Sequence, residues 1–132
     1  MNTKTALWDV VCTTDPRYAK EASDGRHKFT SVDAYYQIRL ATEQWGPYGS
    51  SWGLRDTQIS FHEDLAILKA KFYYPLPIGN GSFEIGNSIK WRFANEKSDS
   101  DFMKKLETNT ITKALSRLGF SADVFLGKFD DD

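Results

Sequence analysis

The densest candidate chemistry lies on three consecutive strand-like segments. Read as a strand, residues 64–75 (DLAILKAKFYYP) place Ala66, Leu68, Ala70, Phe72 and Tyr74 on one face. Lys69, Lys71 and Tyr73 then share the opposite face with Leu65 and Ile67. In the next segment, Phe83, Ile85, Ile89, Trp91 and Phe93 alternate with Glu84, Ser88, Lys90 and Arg92. Arg55 stands on the preceding strand beside Thr57, and Lys113 and Arg117 lie four apart on a helical stretch, so they project from one side. Cations neutralise phosphates, and aromatic rings offer unpaired bases a stacking surface worth about 1–3 kcal/mol per base. Basic and aromatic groups interleaved in this way suit a groove for a single nucleic-acid strand. They equally describe a solvated sheet face on which Lys stems cover apolar surface. The residues by themselves leave both readings open.

Other chemistries fit less well. Glu63-Asp64 followed by Lys69 and Lys71 superficially suggests a metal-dependent nuclease, in which carboxylates hold Mg²⁺ beside a Lys. The usual spacing puts an acid two residues before the Lys; here those positions are Lys69 and Ile67, and Glu63-Asp64 reads as a hairpin turn. Gly79-Asn80-Gly81 is too short for a phosphate loop and does not join a strand to a helix. His62 has no neighbour with which to form a nucleophile pair, and Cys12 sits among apolar residues where packing is its expected role. One Cys and two His form no cluster at zinc spacing and no disulfide framework. No catalytic constellation is present in the sequence, no cofactor is implied, and the expectation is a protein that is not an enzyme.

The elements that must position these groups follow from periodicity and punctuation. Residues 5–13 read as a short helix with Leu7, Val10 and Val11 on one side, and Asp15-Pro16 starts a second short helix to about Ala22. Residues 23–29 read as a loop. From Ser31, a candidate cap, to Trp45 the pattern is helical, with Ala34, Tyr35, Ile38, Ala41, Thr42 and Trp45 recurring at three- and four-residue steps until Gly46-Pro47. Strands are expected at 51–61, 64–75 and 82–93, joined at His62-Glu63 and at the turn signal Asn80-Gly81, with Pro75 and Pro77 closing the second. After a polar loop at 94–100, a helix runs from Asp101 to Leu118 and stops at Gly119; its apolar face holds Phe102, Leu106, Ile111, Ala114, Leu115 and Leu118. The expected fold class is α+β: an antiparallel three-stranded β-meander flanked by helices, a helix-β-β-β-helix core with short N-terminal helices.

Length and charge bound the rest. The 132 residues suit a single domain, with an N-terminal segment at 1–29, a core at 30–120 and an acidic tail at 121–132. The chain is near neutral at −1, which excludes a generally basic nucleic-acid coat but not a local groove. Between Arg26 and Arg117 there are 13 Lys and Arg against 10 Asp and Glu, whereas the flanks, ending in Asp130, Asp131 and Asp132, stand at −4. No apolar run approaches the roughly 18 residues of a membrane span, and MNTKTALWDVV has no secretory apolar stretch. The expectation is an intracellular protein with no membrane partner.

Three segments together resemble a known family. AYYQIRLATEQWGPYGSSWGL (34–54), the three-strand meander and TNTITKALSRLGF (108–120) are similar to the annealing domain of the Rad-fifty-two superfamily, and more closely to phage single-strand annealing proteins. Trp45-Gly46 and Trp52 match the helix that ends in an aromatic-Gly pair before a Trp-bearing strand. Thr112-Lys113-Ala114-Leu115-Ser116-Arg117-Leu118-Gly119 fits the pattern of the family's last helix. The resemblance spans about residues 30–120. It implies ATP-independent binding of single-stranded DNA and annealing of complementary strands in recombination, by an oligomeric ring or filament with DNA in a shared groove.

By that resemblance Lys113 matches a DNA-contacting basic position. Arg117 stands one residue from the second basic position, where this chain has Ser116, and Thr112 replaces the first of the usual basic pair. Tyr48 falls near the groove aromatic, and Arg39 lies on the helix before it. Arg55, Lys69, Lys71, Tyr73, Lys90 and Arg92 join the set from the strand-face argument. Replacing Lys113 and Arg117 should then weaken DNA binding with little loss of folding. Expected partners are single-stranded DNA and further copies of the chain, with a phage exonuclease or a host single-strand-binding protein beside them in a bacterial cytoplasm. Trp8, Phe125 and Phe129 suit either plugs into neighbouring subunits or burial in their own. A non-annealing single-strand binder and a protein-interaction domain of the same fold stay open beside this reading.

Overall fold

Five strands and four α-helices are arranged along the chain in a computed structural model that describes residues 3–23, 25, 28–93 and 98–127. The acidic Asp130–Asp132 run, Phe129 and most of the expected 94–100 loop lie outside the described residues. Two compact units are present, Met1–Gln44 with Leu115–Asp132, and Trp45–Ala114.

In the first unit, helix α1 (Ala6–Val11) leads to Asp15-Pro16, which starts a helix as expected, but only a single 3-10 turn, Pro16–Tyr18. The chain then extends into β1 (Ala19–Ser23), which pairs antiparallel with β2 (Lys28–Val32). The expected second helix to Ala22 is therefore largely a strand, and part of the expected loop is its partner. A helix of seven residues is below the length at which helices hold themselves, whereas five residue pairs across a ladder satisfy these backbone groups.

This hairpin also moves the start of α2 (Ala34–Trp45). Ser31, expected to cap it, is taken into β2, and Asp33 caps instead: its Oδ1 accepts from the N–H groups of Tyr35 (2.9 Å) and Tyr36 (3.4 Å). Of the apolar face expected for α2, Tyr35 and Thr42 point to solvent. The buried positions of this helix are Gln37 and Ala41, and the Gln37 amide donates to the Phe120 carbonyl at 3.1 Å.

The remainder of this unit is the last turn of α3 (Phe102–Arg117) and the short α4 (Ala122–Phe125). Gly119 ends α3 as expected, at φ +104, with the Phe120 N–H reaching back to the Leu115 carbonyl. A Cβ there would stand 2.5 Å from the Trp8 ring, so only glycine fits. Thr14 donates its N–H (2.8 Å) and hydroxyl (2.7 Å) to Asp123, and the Ser121 N–H donates to the Val11 carbonyl. Trp8 packs on Gly119 yet stays 40% exposed, and Phe125 is exposed too.

Three carboxylates are held below the usual range. Burial pushes Asp33 up, but hydrogen bonds from Lys20 and from the Tyr35 and Tyr36 N–H groups outweigh it; Asp15 is lowered by Arg17, and Asp99 by Lys105. A carboxylate lowered in the folded state contributes stability above its unfolded pKa, and that contribution is lost as pH falls. Melting temperatures followed by circular dichroism should therefore hold steady above about pH 5 and drop below about pH 4. A melting temperature unchanged down to about pH 3 would contradict this.

The second unit holds the antiparallel sheet β3 (Gly53–His62), β4 (Leu65–Pro75) and β5 (Asn80–Lys90), with β4 central. The α+β class and the three-strand meander are as the sequence predicts. The first hairpin turns at Glu63-Asp64, with Glu63 at φ +55. The second does not turn at Asn80-Gly81: Asn80 pairs with Pro75, Gly81 pairs with Tyr74, and the connection is Leu76–Gly79, closed by the Leu76 N–H on the Gly79 carbonyl. Gly81 instead makes room for Tyr74, whose ring lies 2.6 Å from where a Cβ would sit.

The inner face carries Ala66, Leu68, Ala70 and Phe72 from β4 and Ile85 from β5, all buried. Leu106, Thr110 and Ala114, one turn apart on α3, are buried in the same unit, and Phe102 packs on Phe61 (5.9 Å between centroids) and Trp91 (5.7 Å). Where α2 ends, Trp45, Trp52, Phe72, Tyr74 and Phe83 form a continuous aromatic cluster. The Trp52 indole N–H donates to the Gly46 carbonyl (2.7 Å) and the Ser51 hydroxyl to the Trp45 carbonyl (2.9 Å), so the last carbonyl of the helix and the one after it both have side-chain donors.

Candidate functional site

Strand register gathers part of the sequence-derived set on the outer face of the sheet. Arg55 lies directly across from Lys71, Gln58 from Lys69, and Gly53 from Tyr73. On the other side of β4, Glu84 stands across from Lys71, Gly86 from Lys69, Ser82 from Tyr73 and Lys90 from Leu65. Lys69, Lys71 and Tyr73 therefore form a row at about 6.7 Å per step, with Arg55 beside it.

The register differs from simple alternation at one place. Arg55 and Gln58 pair with Lys71 and Lys69, so β3 carries one residue more than β4 across this interval, a bulge with Asp56 at φ +56. The bulge changes the phase of the strand. Asp56 and Thr57 fall in the irregular interval; Gln58, Ser60 and His62 follow Arg55 on the outer face, and Ile59 and Phe61 turn to the side of Leu54.

A cavity of about 470 Å³, open to solvent, follows from the bulge and from the missing side chain at Gly86. Lys69, Lys71, Asp56, Gln58 and Glu84 line it. A second hollow of about 290 Å³ lies by Arg55, Tyr73 and Ser82. The Arg55 guanidinium stands 5.4 Å from the centre of the Tyr73 ring. Lys69, Lys71 and Arg55 are exposed, and none of the three makes an ion pair among the described residues. Cations in this state can approach an anion without first breaking a salt bridge in the protein.

The other predicted residues are placed differently. Lys90 is on the same face but pairs with Asp64 at 3.4 Å. Arg92 lies beyond β5, with its guanidinium 4.8 Å from the centre of the Trp91 ring. The Tyr48 ring meets Trp52 edge-on, its hydroxyl accepts from the Leu54 N–H (3.3 Å), and burial pushes the phenol up. Arg39 and Arg117 fall in the other unit; Arg39 is exposed and pairs with Glu43 one turn on, and Arg117 is exposed.

Lys113 departs from its expected place on a solvated helix face. It is half-buried, and its ammonium donates to the Gly86 carbonyl at 2.7 Å, joining α3 to β5. Lys113→Ala should therefore cost about 1–2 kcal/mol of stability, because a carbonyl loses a charged donor. Arg117→Ala, an exposed change, should stay within about 0.5 kcal/mol. Urea unfolding of the two single variants separates them, and equal midpoints would contradict the anchoring role.

Asp56, Gln58 and Glu84 are lining residues that the strand pattern did not mark as functional. Glu84 was readable as an outer-face residue, but Asp56 enters the cavity only through the bulge. Glu63 and Asp64 are spent on the hairpin turn, where the Asp64 carbonyl accepts from the Trp91 N–H at 2.9 Å. Among the described residues no group of three or more His, Cys, Asp or Glu is placed to hold a metal ion, and no helix is long and apolar enough to cross a membrane. The sequence matches no protein-family model and no curated protein.

Proposed function

We propose that this protein binds single-stranded DNA along the outer face of its sheet and pairs complementary strands without ATP, several copies acting together in phage-type recombination. The reading is carried by the row of exposed cations Arg55, Lys69 and Lys71 beside Tyr73, none of them in an ion pair among the described residues. Backbone contacts of this kind hold a strand without reading its bases, so the base edges remain available to a second strand. The sequence resemblance over residues 30–120 supplies the annealing step, for which phosphate contacts alone do not argue. One subunit reaches only a few nucleotides, and linked copies multiply weak contacts along a strand. In this reading the partners are single-stranded DNA and further copies of the chain, with a phage exonuclease or host single-strand-binding protein as accessories in the bacterial cytoplasm. Fluorescence anisotropy with a labelled oligo(dT) across a salt series tests the binding. Affinity that falls linearly on a log–log plot supports it, and no binding at low salt rejects it.

A further inference from the structure

We infer that Asp56 and Glu84 act as flanking repulsive groups that confine a bound phosphate backbone to the line of β4 and so favour a single strand over a duplex. This inference rests on the single-strand reading above and adds a selectivity determinant to the same face. The two carboxylates sit on opposite sides of the lysine row: Glu84 on β5 directly across from Lys71, and Asp56 in the β3 bulge between Arg55 and Gln58. Both line the cavity that Lys69 and Lys71 line. Neither makes an ion pair among the described residues, so neither carboxylate is tied to a single cation.

The cavity holds two cations and two carboxylates, so its net charge offers a polyanion no general attraction. Its pattern does. Successive outward residues of a strand are about 6.7 Å apart, a step comparable to that between phosphates of an extended nucleic-acid strand, while neighbouring strands lie about 4.8 Å away. A backbone lying along β4 therefore meets Lys69, Lys71 and the adjacent Arg55. A backbone displaced toward β5 meets Glu84 across from Lys71, and one displaced toward β3 can keep Arg55 but runs next onto Asp56 in the bulge. A duplex brings two phosphate rows to the surface at once, and both cannot fit the narrow basic strip of Lys69, Lys71 and the adjoining Arg55 without one of them running over Asp56 or Glu84.

Anisotropy titrations of the wild-type protein and of D56N/E84Q, with labelled oligo(dT) and with a blunt duplex of equal length, test the inference. Both side chains are exposed, and Asn tolerates the positive φ at position 56, so the fold should be retained. The wild-type protein should prefer the single strand. The double variant should bind both DNAs more tightly, with the larger gain on the duplex, so that the preference falls about tenfold. A preference unchanged in D56N/E84Q overturns the inference. K69A/K71A separates the two levels. If it weakens oligo(dT) binding while D56N/E84Q leaves the preference unchanged, the guarding role fails alone and the single-strand reading stands. If the wild-type protein binds neither DNA, both fail.

Discussion

Alanine at Arg55, Lys69 and Lys71 together should weaken binding to an unstructured oligonucleotide about a hundredfold at about 0.1 M salt. The magnitude comes from counterion release. Each phosphate contact on a single strand contributes roughly 0.7 to the slope of log affinity against log salt, or about fivefold in affinity at 0.1 M, so three contacts multiply to about a hundred. The slope itself should fall by about 2. All three side chains are exposed and make no ion pair among the described residues, so the thermal melt should stay close to that of the wild-type protein. Arg55 also rests on the Tyr73 ring, a contact that adds little at an exposed site. Wild-type affinity and slope in the triple variant would remove the outer face as the binding surface.

Trp52→Ala should have the largest effect on stability, about 3–5 kcal/mol by urea denaturation. Trp52 is fully buried and contacts Trp45, Tyr48 and Phe72, so the truncation leaves a large void in packed surroundings. It also removes the indole donor from the Gly46 carbonyl at the end of α2. Trp52→Phe should restore part of the packing and none of the hydrogen bond, placing it between the two. A loss under about 1 kcal/mol for Trp52→Ala would show that the ring does not organise this end of the sheet.

The meander is legible in the sequence because the inner and outer faces differ so plainly in β4, where Leu68, Ala70 and Phe72 alternate with Lys69, Lys71 and Tyr73. Strand periodicity alone puts Lys69, Lys71 and Tyr73 on one face. The β3 bulge is less accessible, although the strand carries a trace of it. Leu54 and Ile59 are five residues apart and cannot share a face in a regular strand, so one extra residue is needed between them. Simple alternation misses that mismatch and with it Asp56.

The β1–β2 hairpin escapes a sequence reading for a different reason. Pro16 is a sound helix-start signal, and nothing local says that the helix stops after one turn; the pairing partner, Lys28–Val32, decides it from a distance. Lys113 shows the same limit at the level of a side chain. Its spacing with Arg117 suggests a solvated pair, but whether an ammonium meets solvent or a strand carbonyl depends on how the helix lies on its sheet, and here it meets Gly86.

Annealing itself is read out by a strand-pairing assay. Two complementary oligonucleotides, one carrying a fluorophore and the other a quencher, are mixed with the protein in the absence of ATP over a series of salt concentrations. Pairing should run well above the spontaneous rate, slow as salt rises and be absent in the Arg55, Lys69 and Lys71 triple alanine variant. Binding of each oligonucleotide with no acceleration of pairing would contradict annealing and leave a protein that only covers single strands.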